Sequence, residues 1–534
     1  MQKELLAFIN KFDAIVHPLT KESSLAYWNA SISGLDEDWI KSEDLKIELT
    51  QVFANKEDFA ILKRIKDSDT ITDELLKRQL DVIYDAYLGN QVDTELLNTV
   101  IKMQTEIEKK YSNFRVDVNG KKISDNEVDE ILKTSTNSSE LQQVWESHKA
   151  IGPLVAQDII SLVKKRNEIA IQLGFNNYHE MSLKLSEQFP EDVSNLFYEL
   201  DTLTRDSFAG LKGEIDLFLS ERNKVKPEEL MPWHYQNRFF QEPPAIYSVD
   251  LDKYYEGKNI EALTTDYYTS IGLDIRDMLA KSDLYEKPGK NQHAYCIDID
   301  NQGDVRVLCN LKSNANWMGT MLHEFGHAIY DKYIEHQLPF SLRNPAHTFT
   351  TEAIAMFFGR MSSNAHFLVD LKLTDKADAI EVAAESYKVL RLEQLTFSRW
   401  AQVMYRFEKA LYSDPDQDLN NLWWDLVEKY QMIKRSANRN KPDWASKIHI
   451  ATSPCYYHNY LLGELLASQF NHFIAVNVLK SDDPGQCYFG KKEVGDYLKE
   501  NVFKPGARYS WNEMIEKATG EKLTAKYYAE QFVK

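Results

Sequence analysis

A mostly α fold follows from three observations on this sequence. Glycine and proline are scarce, 20 and 15 of 534 residues. Glycine is thus at about half its usual share of roughly 7%, and a long chain with few punctuators favours long helices and short connections. Apolar residues recur three and four apart over most of the length, the signature of one helical face packed on a core. Convincing alternation occurs in one place only, around residues 295–307, which reads as a single β-hairpin. With 43% hydrophobic and 12% aromatic residues the chain can bury a large core. A prior of roughly 100–200 residues per domain would divide it into three or four, but the linkers this needs are missing. The reading is one domain, 1–534, a large helical body divisible into two lobes.

The elements follow in order. The start, MQKELLAFINKFDAIV, has its apolar residues on one helical face, unlike the continuous apolar core of a signal peptide. Between residues 75 and 87, Leu76, Leu80, Ile83, Tyr84 and Tyr87 fall in step. Val144 to Leu173 repeats the pattern, with Ser138-Ser139-Glu140 as an opening cap and Gly174 as a stop. Met231 to Ile246, with its prolines, reads as loop. Tyr295 to Asp300, a turn at Asn301 to Asp304, and Val305 to Val307 make the hairpin. Helical spacing resumes near Asn314 and runs to the C-terminus, broken at Pro339 and Pro345. There is no internal repeat and no low-complexity tract.

The formal net charge is −19. That disfavours a nucleic-acid partner, since neutralising a phosphate backbone takes clustered Lys and Arg, and none is expected. Four cysteines are too few for a disulfide framework. Cys296 and Cys309 are equidistant from the hairpin turn and are expected to face each other across it. They would be two buried thiols, or a cross-strand disulfide if the protein is exported. No apolar run approaches the ~20 residues that span a bilayer. The expectation is a soluble monomer without a membrane span, its compartment open between exported (periplasmic or secreted, with the signal absent) and cytoplasmic.

The chemistry is carried by HEFGH. Leu322, Phe325 and Ile329 give its helix an apolar face, and His323 and His327 are four apart. Residues so spaced share one helix face, with Cβ atoms about 5–6 Å apart. Two imidazoles can therefore reach one zinc ion at bond lengths of about 2.0–2.1 Å. Glu324, beside the first ligand, is placed to take a proton from an activated water. The motif is short enough to arise by chance, and then its histidines would be two solvated side chains of a surface helix. A zinc site therefore demands a third ligand. His336 follows His327 by nine residues, not the six of a metzincin. The run TFTTEAIAMFF, Thr348 to Phe358, reads as a helix capped by a threonine. Its Glu352 precedes a strongly apolar stretch that turns it inward, making it the third ligand of one Zn2+ per chain.

At these residues the sequence resembles a known family. The run HEFGHAIYDKYIEHQLPFSLRNPAHTFTTEAIA is similar to the zinc helix and third-ligand segment of the angiotensin-converting-enzyme family of peptidyl dipeptidases. HAYCIDIDNQGDVRVLCN resembles that family's substrate-binding hairpin. WWDLVEKYQMIKRSANRNKPDWASKIHIATSPCYYHNYLLGELLASQF resembles its second active-site segment. Weaker similarity reaches the N-terminal helices, including Tyr27-Trp28-Asn29. The resemblance implies roles. His323, His327 and Glu352 fall on the zinc ligands, and Glu324 on the base. Tyr460 would donate to the oxyanion and His449 would support it. Lys447 and Tyr457 would bind the terminal carboxylate of the substrate. His293 and the backbone of Ala294 would pair with the extended peptide as an added strand. Two departures stand out. Met356 occupies the place of the family's aspartate that orients the first zinc histidine, so another acceptor must fix His323. The family's carboxylate-clamping glutamine is replaced by Tyr235.

The resemblance also implies a fold of two helical lobes around a deep active-site cleft, with one small β-sheet near the zinc. The implied function is release of C-terminal dipeptides from oligopeptides. HEFGHA and YYHNYLLGE also resemble thimet-like oligopeptidases, so an endo-acting oligopeptidase stays open. So do a carboxypeptidase and a catalytically inactive peptide-binding homologue.

Overall fold

Long helices joined by short connections make 69% of the chain helical, and two small antiparallel hairpins make up the rest of its regular structure. The computed structural model describes residues 1–481 and 485–533. Each helix examined against the sequence buries the face its periodicity marks. In Glu74–Gly89, Leu76, Leu80, Ile83 and Tyr87 are all 4% exposed or less. Asp73 starts that helix by accepting from the Leu76 N–H at 2.8 Å. The Val144 to Leu173 stretch is two helices, Ser138–Lys149 and Ile151–Gln172, meeting at Ala150. The first is capped by Asn137, whose side chain accepts from the Ser139 and Glu140 N–H groups, rather than by Ser138. Gly174 follows the second with φ of 90°, the left-handed backbone that glycine adopts without strain.

The chain divides into two compact units. The first comprises 1–91, 249–386 and 462–527. It opens with the 32-residue helix Gln2–Ser33, whose Phe8 and Phe12 join Leu62, Ile65 and the buried face of Glu74–Gly89 in one apolar cluster. Further along this helix, Trp28 packs on Ile299 and Leu308 of the hairpin that follows. That hairpin pairs Tyr295–Asp298 with Val305–Leu308, Tyr295 opposite Leu308 and Cys296 opposite Val307. Cys309 therefore lies beyond the last paired residue, and Cys296 and Cys309 are both free thiols rather than a cross-strand pair. The second unit comprises 92–248, 387–461 and 528–534. It contains the helices Thr94–Asn113, Ile151–Gln172 and Pro190–Asn223 and a small hairpin, 116–123, that alternation did not mark. Among the described residues no helix is long and apolar enough to cross a membrane.

Candidate active site

HEFGH sits in the middle of the helix Ala315–Tyr333. Asn314 caps this helix, accepting from the Trp317 N–H at 2.9 Å, and Met318, Met321, Leu322, Phe325, Ala328 and Ile329 are fully buried. Burying each large apolar side chain stabilises by about 1.5–3 kcal/mol, so this face holds the helix firmly. Glu352 lies in Thr348–Gly359. The cap of that helix is His347, not a threonine: its Nδ1 accepts from the Phe349 N–H, and Thr350 reciprocates from inside the first turn. The two helices touch at the glycine of HEFGH. A Cβ on Gly326 would lie 2.7 Å from the Ala355 Cα, and one on Gly359 would meet the His323 Cβ at 3.4 Å. Only a bare backbone permits that approach. It places Glu352, one turn before Ala355, against the two histidines that flank Gly326.

The three donors converge. Glu352 presents Oε1 to His323 Nε2 at 3.6 Å and Oε2 to His327 Nε2 at 3.5 Å, and all three ligand atoms lie within 4.8 Å of one another. Two imidazoles and a carboxylate at this spacing suit a zinc ion with an open position. Exclusion of water lowers His323 to about 4 and, with the charge of His323 adding, His327 to about 3. Both rings are therefore neutral, the form that ligates. His327 Nδ1 lies 2.8 Å from Thr351 Oγ1, which fixes that ring's orientation. His323 has no such partner among the described residues, so the acceptor that the sequence called for in place of the family's aspartate is not supplied by hydrogen bonding. Met356 stands one turn past Glu352, and a Cβ on Gly463 would come within 3.3 Å of both side chains. Glu324 is buried, and burial followed by the Glu352 charge raises it to about 8. Burial raises Glu352 to about 7.

These groups open on a cavity of about 620 Å³. Its other walls are Thr20 and Ser24 of the first helix, the strand Tyr295–Asp298, and Asn344 and Pro345. Among the described residues that strand pairs on one side only, and Ala294 just before it lines the cavity. His293 is exposed, its N–H held by Asn291 Oδ1 at 3.0 Å.

The second unit gathers the other four residues. His449 stands edge-on to Tyr457 at 5.6 Å between ring centroids, and Tyr457 to Tyr460 at 5.5 Å. The His449 Nδ1 is buried without a hydrogen-bond partner among the described residues. Lys447 is buried, its ammonium 5.3–5.5 Å from the centroids of the Phe239, Trp400 and Tyr457 rings. It donates to Gln241 Oε1 at 2.6 Å. Among the described residues no carboxylate is within ion-pair distance of it. Burial, then the Arg238 charge, lowers it to about 8. Lys447, Gln241 and His449 line a cavity of about 470 Å³. Tyr235 takes no part there: it is buried, its hydroxyl between Lys212 and Asp216 at 2.8 Å each. The amide that meets Lys447 is instead that of Gln241, six residues further on.

The model of the angiotensin-converting enzyme family, Peptidase_M2, matches residues 1–235 and 242–532. The chain belongs to the angiotensin-converting enzyme family. Its relatives include angiotensin-converting enzyme of Rattus norvegicus, 24% identical over 429 residues, which are 74% of this chain and 32% of that protein. The Mesocricetus auratus enzyme is 22% identical over 568 aligned positions, covering 98% of this chain and 42% of the relative. Carboxypeptidase 1 of Bacillus subtilis is 25% identical over 252 residues, 42% of this chain and 49% of the relative. The chain spans less than half the length of each of these three. The angiotensin-converting enzyme family is one of zinc metallopeptidases. The one internal break in the match, residues 236–241, is the segment that brings Gln241 to Lys447.

Two residues of the site escaped the sequence reading. Thr351 could have been found, since it adjoins Glu352 on the helix that meets HEFGH. Gln241 carries no such signal, lying in irregular chain where no period fixes its direction.

Proposed function

We propose that this member of the angiotensin-converting enzyme family is a zinc-dependent peptidyl dipeptidase, holding one Zn2+ on His323, His327 and Glu352 and releasing C-terminal dipeptides from oligopeptides. The observation that carries the exopeptidase reading is Lys447: a buried ammonium with an amide and three aromatic rings around it, Glu242 on the same cavity wall, and no carboxylate within ion-pair distance among the described residues. Such a charge is costly unless a ligand completes it, and the terminal carboxylate of a peptide does so.

When bound, zinc supplies a Lewis acid that polarises the scissile carbonyl and activates water. The chain's own residues do the rest. Glu324 accepts the proton of the attacking water and passes it to the leaving amine. Thr351 holds the His327 ring in line. Tyr460 donates a hydrogen bond to the oxygen that becomes negative in the tetrahedral intermediate, and His449 hydrogen-bonds the peptide backbone beside it. Lys447, with Tyr457 and the Gln241 amide, holds the terminal carboxylate and so counts residues from the C-terminus. The open edge before Tyr295, at His293 and Ala294, pairs with the extended peptide.

Mass spectrometry of the first products from one long synthetic peptide, with zinc measured in the same sample, tests this. C-terminal dipeptides are expected. Internal cuts would replace the reading by an endo-oligopeptidase. Single residues would make it a carboxypeptidase, the activity in the name of the Bacillus subtilis relative. No cleavage by zinc-loaded protein would make it a peptide-binding homologue.

A further inference from the structure

The proposed hydrolysis leaves two carboxyls of the zinc-side cavity without a task. Asp331 lies one turn beyond His327 on the same helix, hence on the same face, and Asp298 ends the strand opposite. Both line the cavity that holds His323, Glu324 and Glu352. The Asp331 carboxyl has no hydrogen-bond or ion-pair partner among the described residues. Protein encloses it, and the surface it keeps is turned to the cavity. Asp298 uses Oδ1 to accept from the Asp300 and Asn301 N–H groups at 3.1 and 2.9 Å. Its Oδ2 has no donor among the described residues. The two acids are near enough that the Asp298 charge adds to burial in holding the Asp331 carboxyl well above the usual range.

Among the described residues no lysine or arginine lines this cavity. Two neighbouring acids in a space that has to admit substrate can be ionised together only when a cation meets them. A second metal ion is the poorer match. Among the described residues His323, His327 and Glu352 are the only such group of three with donor atoms close enough to share an ion. An ammonium or guanidinium on a long apolar stem can instead reach in from a bound peptide, its stem passing the Tyr295–Asp298 strand and its head meeting both carboxyls.

We infer that Asp331 and Asp298 form a subsite for a basic side chain, Lys or Arg, on a peptide residue within two of the scissile bond. The inference rests on the peptidase reading, and it deepens that reading by naming the class of peptide preferred.

The test is a positional peptide set presented to the zinc-loaded full chain. Lys, Arg, norleucine and Glu are placed in turn at each of the four positions around the cleaved bond. At one position Lys and Arg are expected to raise kcat/KM at least ~10-fold over norleucine, the low end for a hydrogen bond to a charged group, and Glu to lower it. Asp331→Asn, which keeps size and shape, is expected to bring the Lys-to-norleucine ratio at that position within ~3-fold of unity. Asp298→Asn is the second variant and should lower the same ratio. Calorimetric binding of the Lys and norleucine peptides to zinc-loaded Glu324→Gln reads the preference without turnover. If no peptide is cut, the hydrolytic reading fails while the subsite is still judged by binding. Absence of any position favouring Lys or Arg, or an unchanged ratio in Asp331→Asn, overturns the inference.

Discussion

Amidating the C-terminus of a good peptide substrate removes one charge and little else, and the surroundings of Lys447 set what that costs. The side chain is 7% exposed. It donates to the Gln241 amide at 2.6 Å, the rings of Phe239, Trp400 and Tyr457 surround it, and the opposed charges of Arg238 and Glu242 act on it from the same cavity wall. A carboxylate at a contact of ~3 Å and an effective dielectric of ~20 gives about 5.5 kcal/mol of attraction. Part of that is spent on desolvating the carboxylate. Leaving one member of a buried charged pair unmatched costs about 2–5 kcal/mol, so the amide should be cut about 30-fold to several thousand-fold less efficiently. The assay is kcat/KM for matched acid and amide peptides, on wild type and on Lys447→Ala. In the variant the hydrogen bonds of Gln241 and Tyr457 remain, and the gap should shrink below ~10-fold, the worth of about one net hydrogen bond. Equal cleavage of acid and amide by wild type would refute the argument. So would an undiminished gap in Lys447→Ala, which would place the carboxylate site elsewhere.

The same ammonium sets a pH limb. Lys447 is charged below about 8 and neutral above, so kcat/KM on free-acid peptides should fall as pH rises through about 8, while amidated peptides show no such limb. Glu324→Gln should keep zinc, by metal analysis, and lose at least ~10²-fold in turnover, because an amide cannot accept the proton; near-normal turnover by a zinc-loaded variant would end the base assignment. Glu352→Ala should weaken zinc binding by more than the ~10–100-fold typical of an outer-shell change, measured by competition with a chelator; unchanged affinity would put the third ligand elsewhere. Tyr460→Phe should lower kcat by about 10²–10³ with little change in KM, the mark of a donor that acts in the transition state. A change confined to KM would assign Tyr460 to the substrate pocket.

What the sequence made legible is what periodicity and spacing govern. The helices bury the faces their apolar residues mark, and His323, His327 and Glu352 converge because two capped amphipathic helices can meet in few ways. The hairpin's strands were equally plain, but not their register. Asp298 Oδ1 accepts from the Asn301 N–H and Asp300 Oδ1 from the Gln302 and Asp304 N–H groups, and these side-chain bonds close the turn between Ile299 and Asp304. That puts Cys296 opposite Val307 rather than Cys309. Alternation cannot anticipate this, since it specifies which residues share a face and leaves the partner across the turn to local hydrogen bonding. The cap at His347 was missed for a related reason: imidazole seldom serves as an N-cap, and the adjacent threonine is the statistically better candidate. Gln241 was invisible because irregular chain has no period. Its direction is set by the ammonium it meets 206 residues away.

The bare contact of Gly326 on Ala355 bears on how the metal site comes into being. All three donors lie within 30 consecutive residues, and the segment between their helices is short. Loop closure grows only as the logarithm of length, so drawing the ligands together costs little chain entropy compared with gathering them from distant segments. Zinc capture is thus a nearly local event of one unit. The proposed carboxylate recognition would depend on Lys447, Gln241 and Tyr457, which come from two widely separated stretches of the other unit. The two traits have independent folding origins, and mutation can erode either one while sparing the other. A descendant that has lost Lys447 would still load zinc and cut peptides without counting from their ends, whereas one with a bulkier residue at 326 would lose the metal and still hold a peptide's carboxylate.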